Sequence, residues 1–225
     1  MKSKIKLLIL SLAVCAVAFA GVWAFTSGGL RLSSSGFITV KDDSQSWQLT
    51  LVNTDNPVPC GWNSEFTRLS NGEKVDARIY PDLQQMFDNM RAQGIYPFVR
   101  AGYRSHEEQE RVLDNKIAAY QSEGYSKSRA RSLALETVAE PGTSEHELGL
   151  AVDINAEEDR STSDEVYDWL AENAYKYGFI LRYPSDKVEI TGIDYEPWHY
   201  RYVGKDAAKE IYESDQCLEE YLNKV

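Results

Sequence analysis

The chain has 225 residues, enough for one well-packed domain plus a tail and too few for two large ones. Apolar residues make up 43% and charged residues 26%, which excludes a wholly disordered chain. The formal net charge of -11 argues against a free nucleic-acid binder, which would carry a basic patch.

That charge is uneven. Residues 1–31 contain Lys2, Lys4, Lys6 and Arg31 and no acid, so the remainder carries -15. Leu7 to Phe25 is an uncharged, mostly apolar run behind three lysines. This is the pattern of a signal anchor or a signal peptide over 1–25, with the N-terminus in the cytoplasm and the body exported. Its length is about that of a minimal membrane span, and Ala18-Phe19-Ala20 offers a small-x-small cleavage site. Cys15 lies within the run; Cys60 and Cys217 lie beyond it, either paired as a disulfide or as two free thiols.

Residues 26–56, rich in Ser, Thr, Gly, Asn and Asp, read as a polar spacer with one weak strand around Trp47–Val52. Pro57 and Pro59 open the compact domain, 57–225. A first helix is predicted over 81–93, with Pro81 at its start, a stripe of Leu83, Met86, Phe87 and Met90, and Gly94 at its end. A second begins at Ser105, with Glu108 completing a capping box. A third is predicted over 127–139, a fourth from Ser163 to Gly178, and a short one near 205–213. Strand signals fall at Ile95–Arg100, Gly149–Ile154, Phe179–Tyr183 and Trp198–Val203. Helices in a block between strands, without strict alternation, predict an α+β fold with a small, mainly antiparallel sheet flanked by helices.

Histidine is scarce: His106, His146 and His199 only. In Ser144-Glu145-His146-Glu147-Leu148-Gly149-Leu150-Ala151-Val152-Asp153-Ile154, alternation sends Leu150, Val152 and Ile154 to a core face. Gly149, Ala151 and Asp153 share the other face, a shallow floor with a carboxylate. His146 and Asp153 would be roughly 23 Å apart if extended, so their sharing one ion requires a fold-back, with Gly149 as pivot. In Glu196-Pro197-Trp198-His199, Pro197 cannot sit in a central ladder, and a turn there brings Glu196 and His199 to one cleft. Two His and one Asp supply three zinc ligands and leave the fourth position for water, with Glu196 as general base. Arg104, in a strand-to-helix loop, either holds a substrate carboxylate, steadies an oxyanion or forms a surface salt bridge. His106 reads as exposed. Residues 184–195 are either a loop at the cleft mouth or a solvated charged hairpin.

Together these segments resemble the VanY-type D-alanyl-D-alanine carboxypeptidases, within the zinc peptidases that share a fold with lysostaphin-like enzymes and the hedgehog signalling domain. Ser144, His146, Gly149, Ala151 and Asp153 match Ser-x-His-x-x-Gly-x-Ala-x-Asp. Glu196 and His199 match Glu-x-x-His, and Gly102, Tyr103, Arg104, Ser105 and Gln109 match the third segment. The resemblance implies one zinc on His146, Asp153 and His199, with Glu196 as catalytic base. It also implies that Arg104, Ser144, Gln109 and Tyr103 contact substrate. The implied substrate is a peptidoglycan stem peptide losing a C-terminal D-alanine, and the body would face the wall outside the cytoplasmic membrane. No protein partner is inferred. D-Ala-D-Ala cleavage is the favoured reading. The alternatives are an L,D-carboxypeptidase on tetrapeptide stems, an endopeptidase, or a non-catalytic wall-binding module of the same fold.

Overall fold

A computed structural model describes residues 31–32, 38–39 and 47–222. The segment 1–25, read as a signal anchor or signal peptide, lies outside them. The chain divides into two compact units, Met1–Trp47 and Gln48–Val225. In the first, β1 (Arg31–Leu32) and β2 (Ile38–Thr39) pair antiparallel.

The second unit is α+β, as expected. It opens on a short 3-10 turn over 47–49, not on the strand predicted at Trp47–Val52. The carbonyls of Gln48 and Thr50 accept from the Arg201 guanidinium at 2.9 and 2.7 Å, so they are not offered to a partner strand. Leu49 and Leu51 pack on the core, and Val52 is buried; the compact unit thus starts about nine residues before Pro57. A small hairpin comes next, β3 (Phe66–Arg68) and β4 (Lys74–Asp76), which the sequence reading did not anticipate. Helix α1 (Tyr80–Ala92) buries Leu83, Met86, Phe87 and Met90, the stripe that its periodicity marks.

The main sheet is four-stranded and antiparallel, in the order β5-β6-β8-β7. Its strands are β5 (Pro97–Ala101), β6 (Ala151–Ala156), β7 (Phe179–Leu181) and β8 (His199–Tyr202). Leu150, Val152 and Ile154 are fully buried, which fixes the face that β6 turns to the core. Helix α2 (His106–Ser122) begins at Ser105, whose hydroxyl accepts from the Glu108 amide while the Glu108 carboxylate accepts from the Ser105 amide. Helix α3 (Lys127–Ala134) packs on α2 through Leu113, Ile117, Ala130 and Ala134. It stops five residues short of the predicted 139. Leu135 closes its last turn, and 137–139 leave the helix to line a cavity.

Helix α4 (Ser163–Asn173) buries Val166, Trp169 and Leu170. A 3-10 turn, Ala174–Tyr177, continues from it and ends at Gly178. Residues 184–195 form a loop with one helical turn, α5 (Val188–Thr191), rather than a hairpin. Helix α6 (Lys205–Ser214) and the short α7 (Leu218–Tyr221) close the chain around Val203, Ala208, Ile211 and Leu218. Cys60 is exposed, Cys217 is buried, and both are free thiols. Among the described residues, no helix is long and apolar enough to cross a membrane.

Candidate metal centre and active site

The sheet register assembles the site. Asp153 on β6 lies opposite His199 on β8, and opposing residues in an antiparallel pair hold their side chains within contact reach. On the other side, Asp153 lies opposite Ala101, past an irregularity between Val99 and Ala101. A bulge of this kind bends the strand and re-aims the residues after it, here Gly102, Tyr103 and Arg104.

His146 reaches the same place from a 3-10 turn, Glu145–Leu148, capped by the Ser144 hydroxyl. The turn ends at Gly149 with φ 76°, the left-handed region open to glycine. A side chain there would also meet the Phe66 ring and the Asp76 amide. This is the fold-back that the His146–Asp153 spacing demands. Gly102 is required for a different reason: a Cβ on it would fall 2.1 Å from the Lys74 carbonyl oxygen. Its own carbonyl accepts from His146 Nδ1 at 2.7 Å, which leaves Nε2 as the lone pair directed into the site.

The three groups converge. His146 Nε2 and His199 Nδ1 lie 3.4 and 3.0 Å from Asp153 Oδ1, and all three donor atoms are within 4.8 Å of one another. Ligands about 2.0–2.1 Å from a tetrahedral ion stand about 3.3 Å apart, so the two measured separations suit zinc or an ion of its size. Both rings are nearly buried and perpendicular to each other. Burial disfavours ionisation of Asp153, but His146 and His199 outweigh it and hold the carboxyl well below its ordinary range. Burial pushes His146 down, towards the neutral ring a metal needs.

Glu196 sits at the edge of this triangle. The amide of His199 donates to its carbonyl at 3.1 Å across the turn at Pro197, and its Oε2 is 3.7 Å from His199 Nδ1. Burial is the main force on its carboxyl and, with the Asp153 charge, pushes it up to about 7 against the pull of His199 and Arg104. A group poised near neutrality can both take and return a proton. Burial also acts on His199, but its hydrogen-bonding and charged carboxylate neighbours raise it to about 9.

Arg104 donates to Asp153 Oδ2 at 3.1 Å and to Gln109 Oε1 at 3.3 Å, and Gln109 donates in turn to the Ala139 carbonyl at 2.8 Å. It is therefore tied into the site and is not a surface pair. A cavity of about 270 Å³ opens here, lined by Arg104, Gln109, Ser144, His146, Asp153, Glu196 and His199. Val112, Lys116, Thr137, Val138, Ala139, Tyr183, Ile193 and Trp198, none of them singled out as a site residue from the sequence, complete its walls. Of these, only Ile193 lay in a segment marked as a possible cleft mouth. Tyr103 is elsewhere: its ring lies against Phe66 at 4.0 Å and is not part of the cavity lining. His106 is exposed, 3.2 Å from Glu147. A larger, apolar cavity of about 460 Å³ between Leu170, Tyr175, Phe179 and Tyr212 contains none of these groups.

A family profile described as VanY, D-alanyl-D-alanine carboxypeptidase, matches residues 72–205. The chain belongs to the VanY family. It is 56% identical over 181 residues to a D-alanyl-D-alanine carboxypeptidase of Enterococcus faecalis, covering 80% of this chain and 68% of the relative. Two solved structures are similar at 56% identity. One is a variant of the vancomycin resistance D,D-pentapeptidase VanY from a VanB-type cassette in complex with Zn(II), covering 79% of this chain and 99% of that one at TM-score 0.78. The other is VanYB in complex with D-alanine-D-alanine, covering 79% and 98% at TM-score 0.77.

Beneath this VanY-type site lies a buried ionic network that the sequence reading did not single out. Glu145 Oε1 accepts from Arg182 Nε at 2.8 Å and from Arg201 Nη1 at 2.7 Å. Arg182 also grips Glu219 with both remaining nitrogens, at 2.9 and 2.6 Å. The two arginines and Glu145 are fully buried, and the arginines hold the Glu145 carboxyl far below its ordinary range despite that burial. Its one sequence signal was an arginine inside each of two short apolar strand segments, Phe179–Tyr183 and Trp198–Val203.

Proposed function

We propose that this chain is a zinc-dependent D-alanyl-D-alanine carboxypeptidase that releases the terminal D-alanine of peptidoglycan stem peptides. The observation that carries the reading is the convergence of His146, Asp153 and His199 beside a buried Glu196 in the cleft that also holds Arg104. Zinc held by those three side chains would supply Lewis acidity and lower the pKa of the attacking water. Glu196 takes the proton from the attacking water and returns it to the departing amine, from its place at the edge of the His146–Asp153–His199 triangle. Arg104 presents its guanidinium to the reacting peptide from a fixed place, because Asp153 and Gln109 each hold one of its terminal nitrogens. Ser144 and Gln109, both buried in the cavity wall, orient the substrate.

A non-catalytic wall-binding module would have no use for Glu196 in this position, which favours the enzyme. The 56% identity to D,D-acting relatives favours D-Ala-D-Ala over L,D-cleavage. The lysines and apolar run of residues 1–25 support an extracytoplasmic body, anchored in the membrane or released by cleavage. The test offers the enzyme a pentapeptide ending in two D-alanines beside a tetrapeptide ending in one and measures free D-alanine. Release from the pentapeptide alone is expected; release from the tetrapeptide alone would move the specificity to L,D, and release from neither would defeat the reading.

A further inference from the structure

We propose that Glu145 is a positioning residue for the metal centre, setting the tautomer and tilt of the His199 ring through its free carboxylate oxygen. The inference deepens the zinc reading above and rests on it.

The geometry turns on the two nitrogens of one ring. Nδ1 of His199 faces Asp153 Oδ1 at 3.0 Å and is the candidate ligand atom. Nε2 points the other way, into the protein. It is buried and has no hydrogen-bond partner. The carboxylate oxygen facing it is Glu145 Oε2 at 3.7 Å, itself buried and also without a hydrogen-bond partner. Two orphaned buried polar atoms aimed at each other form one unfinished contact, since buried groups of this kind are otherwise nearly always satisfied.

The chemistry gives the contact a direction. A neutral imidazole that donates the Nδ1 lone pair to a cation carries its one proton on Nε2. Nδ1 is the nitrogen held against Asp153. Loading the site therefore displaces any proton from Nδ1 and leaves the ring's one proton on Nε2, on the side of Glu145, where it needs an acceptor. Oε2 is that acceptor. The gap exceeds an ordinary N–H···O bond by about 0.8 Å, which a small tilt of the ring closes.

Glu145 itself is not free to wander. Its other oxygen is clamped by Arg182 and Arg201, and these are anchored in turn by Glu219 and by the carbonyls of Gln48 and Thr50. The network thus holds one carboxylate oxygen at a fixed point behind a ligand histidine. Outer partners of this kind are worth 10–100-fold in metal affinity in other proteins.

The test compares Glu145→Gln with Glu219→Gln in the full chain, by zinc competition against a chromophoric chelator and by nitrogen-15 spectra of the His199 ring. With the amide oxygen on the two arginines, Glu145→Gln turns an NH2 donor towards Nε2 and favours a proton on Nδ1, the wrong tautomer for binding. Its zinc affinity should fall 10–100-fold. Glu219→Gln breaks the same network one arginine further away and should keep wild-type affinity. Glu145→Gln within threefold of wild type, or equal losses in both variants, would reduce Glu145 to a structural anchor and overturn the proposal. Should Glu145→Gln fail to fold, the zinc-loaded wild type still decides. Its His199 Nε2 proton should be hydrogen-bonded and slow to exchange; a freely exchanging proton overturns the inference. A wild-type chain that binds no zinc would instead defeat the functional reading.

Discussion

Glu196→Gln should make the metal-free protein more stable while removing its activity. The Glu196 side chain is 9% exposed, and burial pushes its carboxyl from 4.5 up to about 7. A raised value in the folded state means that the folded chain holds the proton more tightly than the unfolded one. The contribution to stability is therefore complete below about pH 4.5 and is lost as pH rises through 7. At roughly 1.4 kcal/mol per pH unit, the loss amounts to about 3 kcal/mol. Glutamine, neutral throughout, escapes it. Asp153 and Glu145 have depressed values and favour the folded state at higher pH in both proteins, while the variant loses the part of the raised His199 value that the Glu196 charge supplies, which opposes some of its gain. The assay is thermal and urea unfolding with chelator present at pH 4.5 and pH 8. For a chain of this size the melting gap in favour of the variant should widen by about 6–12 °C between the two. With zinc restored, the variant should lose about 10²–10⁴-fold in turnover. A gap that does not change with pH, or a wild type that is the more stable at pH 8, would refute the view of Glu196 as a buried carboxylate held for catalysis at the expense of stability.

Other consequences are direct. Gly102→Ala places a methyl group against the Lys74 carbonyl and shifts the carbonyl that supports His146. It should cost about 3 kcal/mol in urea unfolding and weaken zinc binding in a chelator competition; wild-type values for both would show that this approach is not tight. Arg104→Lys keeps the charge but cannot hold Asp153 and Gln109 together. It should lower kcat/KM for the pentapeptide about 100-fold, and an unchanged value would remove Arg104 from the reaction. Burial pushes the Cys217 thiol up to about 11, whereas Cys60 is exposed. Alkylation at pH 8 with subsequent peptide mass mapping should label Cys60 in the folded protein and Cys217 only after unfolding.

The chemistry of this protein lay close to the surface of its sequence. Single-element cues carried the helices: the α1 stripe and the Ser105–Glu108 box both fall where the structure has them. The site segments were legible because each carries a local constraint that chemistry explains, as with Gly149 between His146 and Asp153, and Pro197 between Glu196 and His199. What escaped was non-local. The Trp47–Val52 stretch has strand-like residues, yet its carbonyls serve an arginine some 150 positions away. The early end of α3 answers to the cleft it lines and to no Gly or Pro at the break. Glu145, next to the most recognisable histidine in the chain, looks like any exposed acid until Arg182 and Arg201 are seen to bury it.

A one-zinc D-alanine-releasing site built from His146, Asp153, His199 and Glu196 can be checked in a single titration. Metal-stripped full-length chain is titrated with zinc in the presence of the pentapeptide, and D-alanine release is measured at each addition. No release is expected without zinc, then a rise to a plateau at one zinc per chain, and loss of that rise in His199→Ala. Release from the stripped protein, or stoichiometric zinc binding with no D-alanine set free, would contradict it.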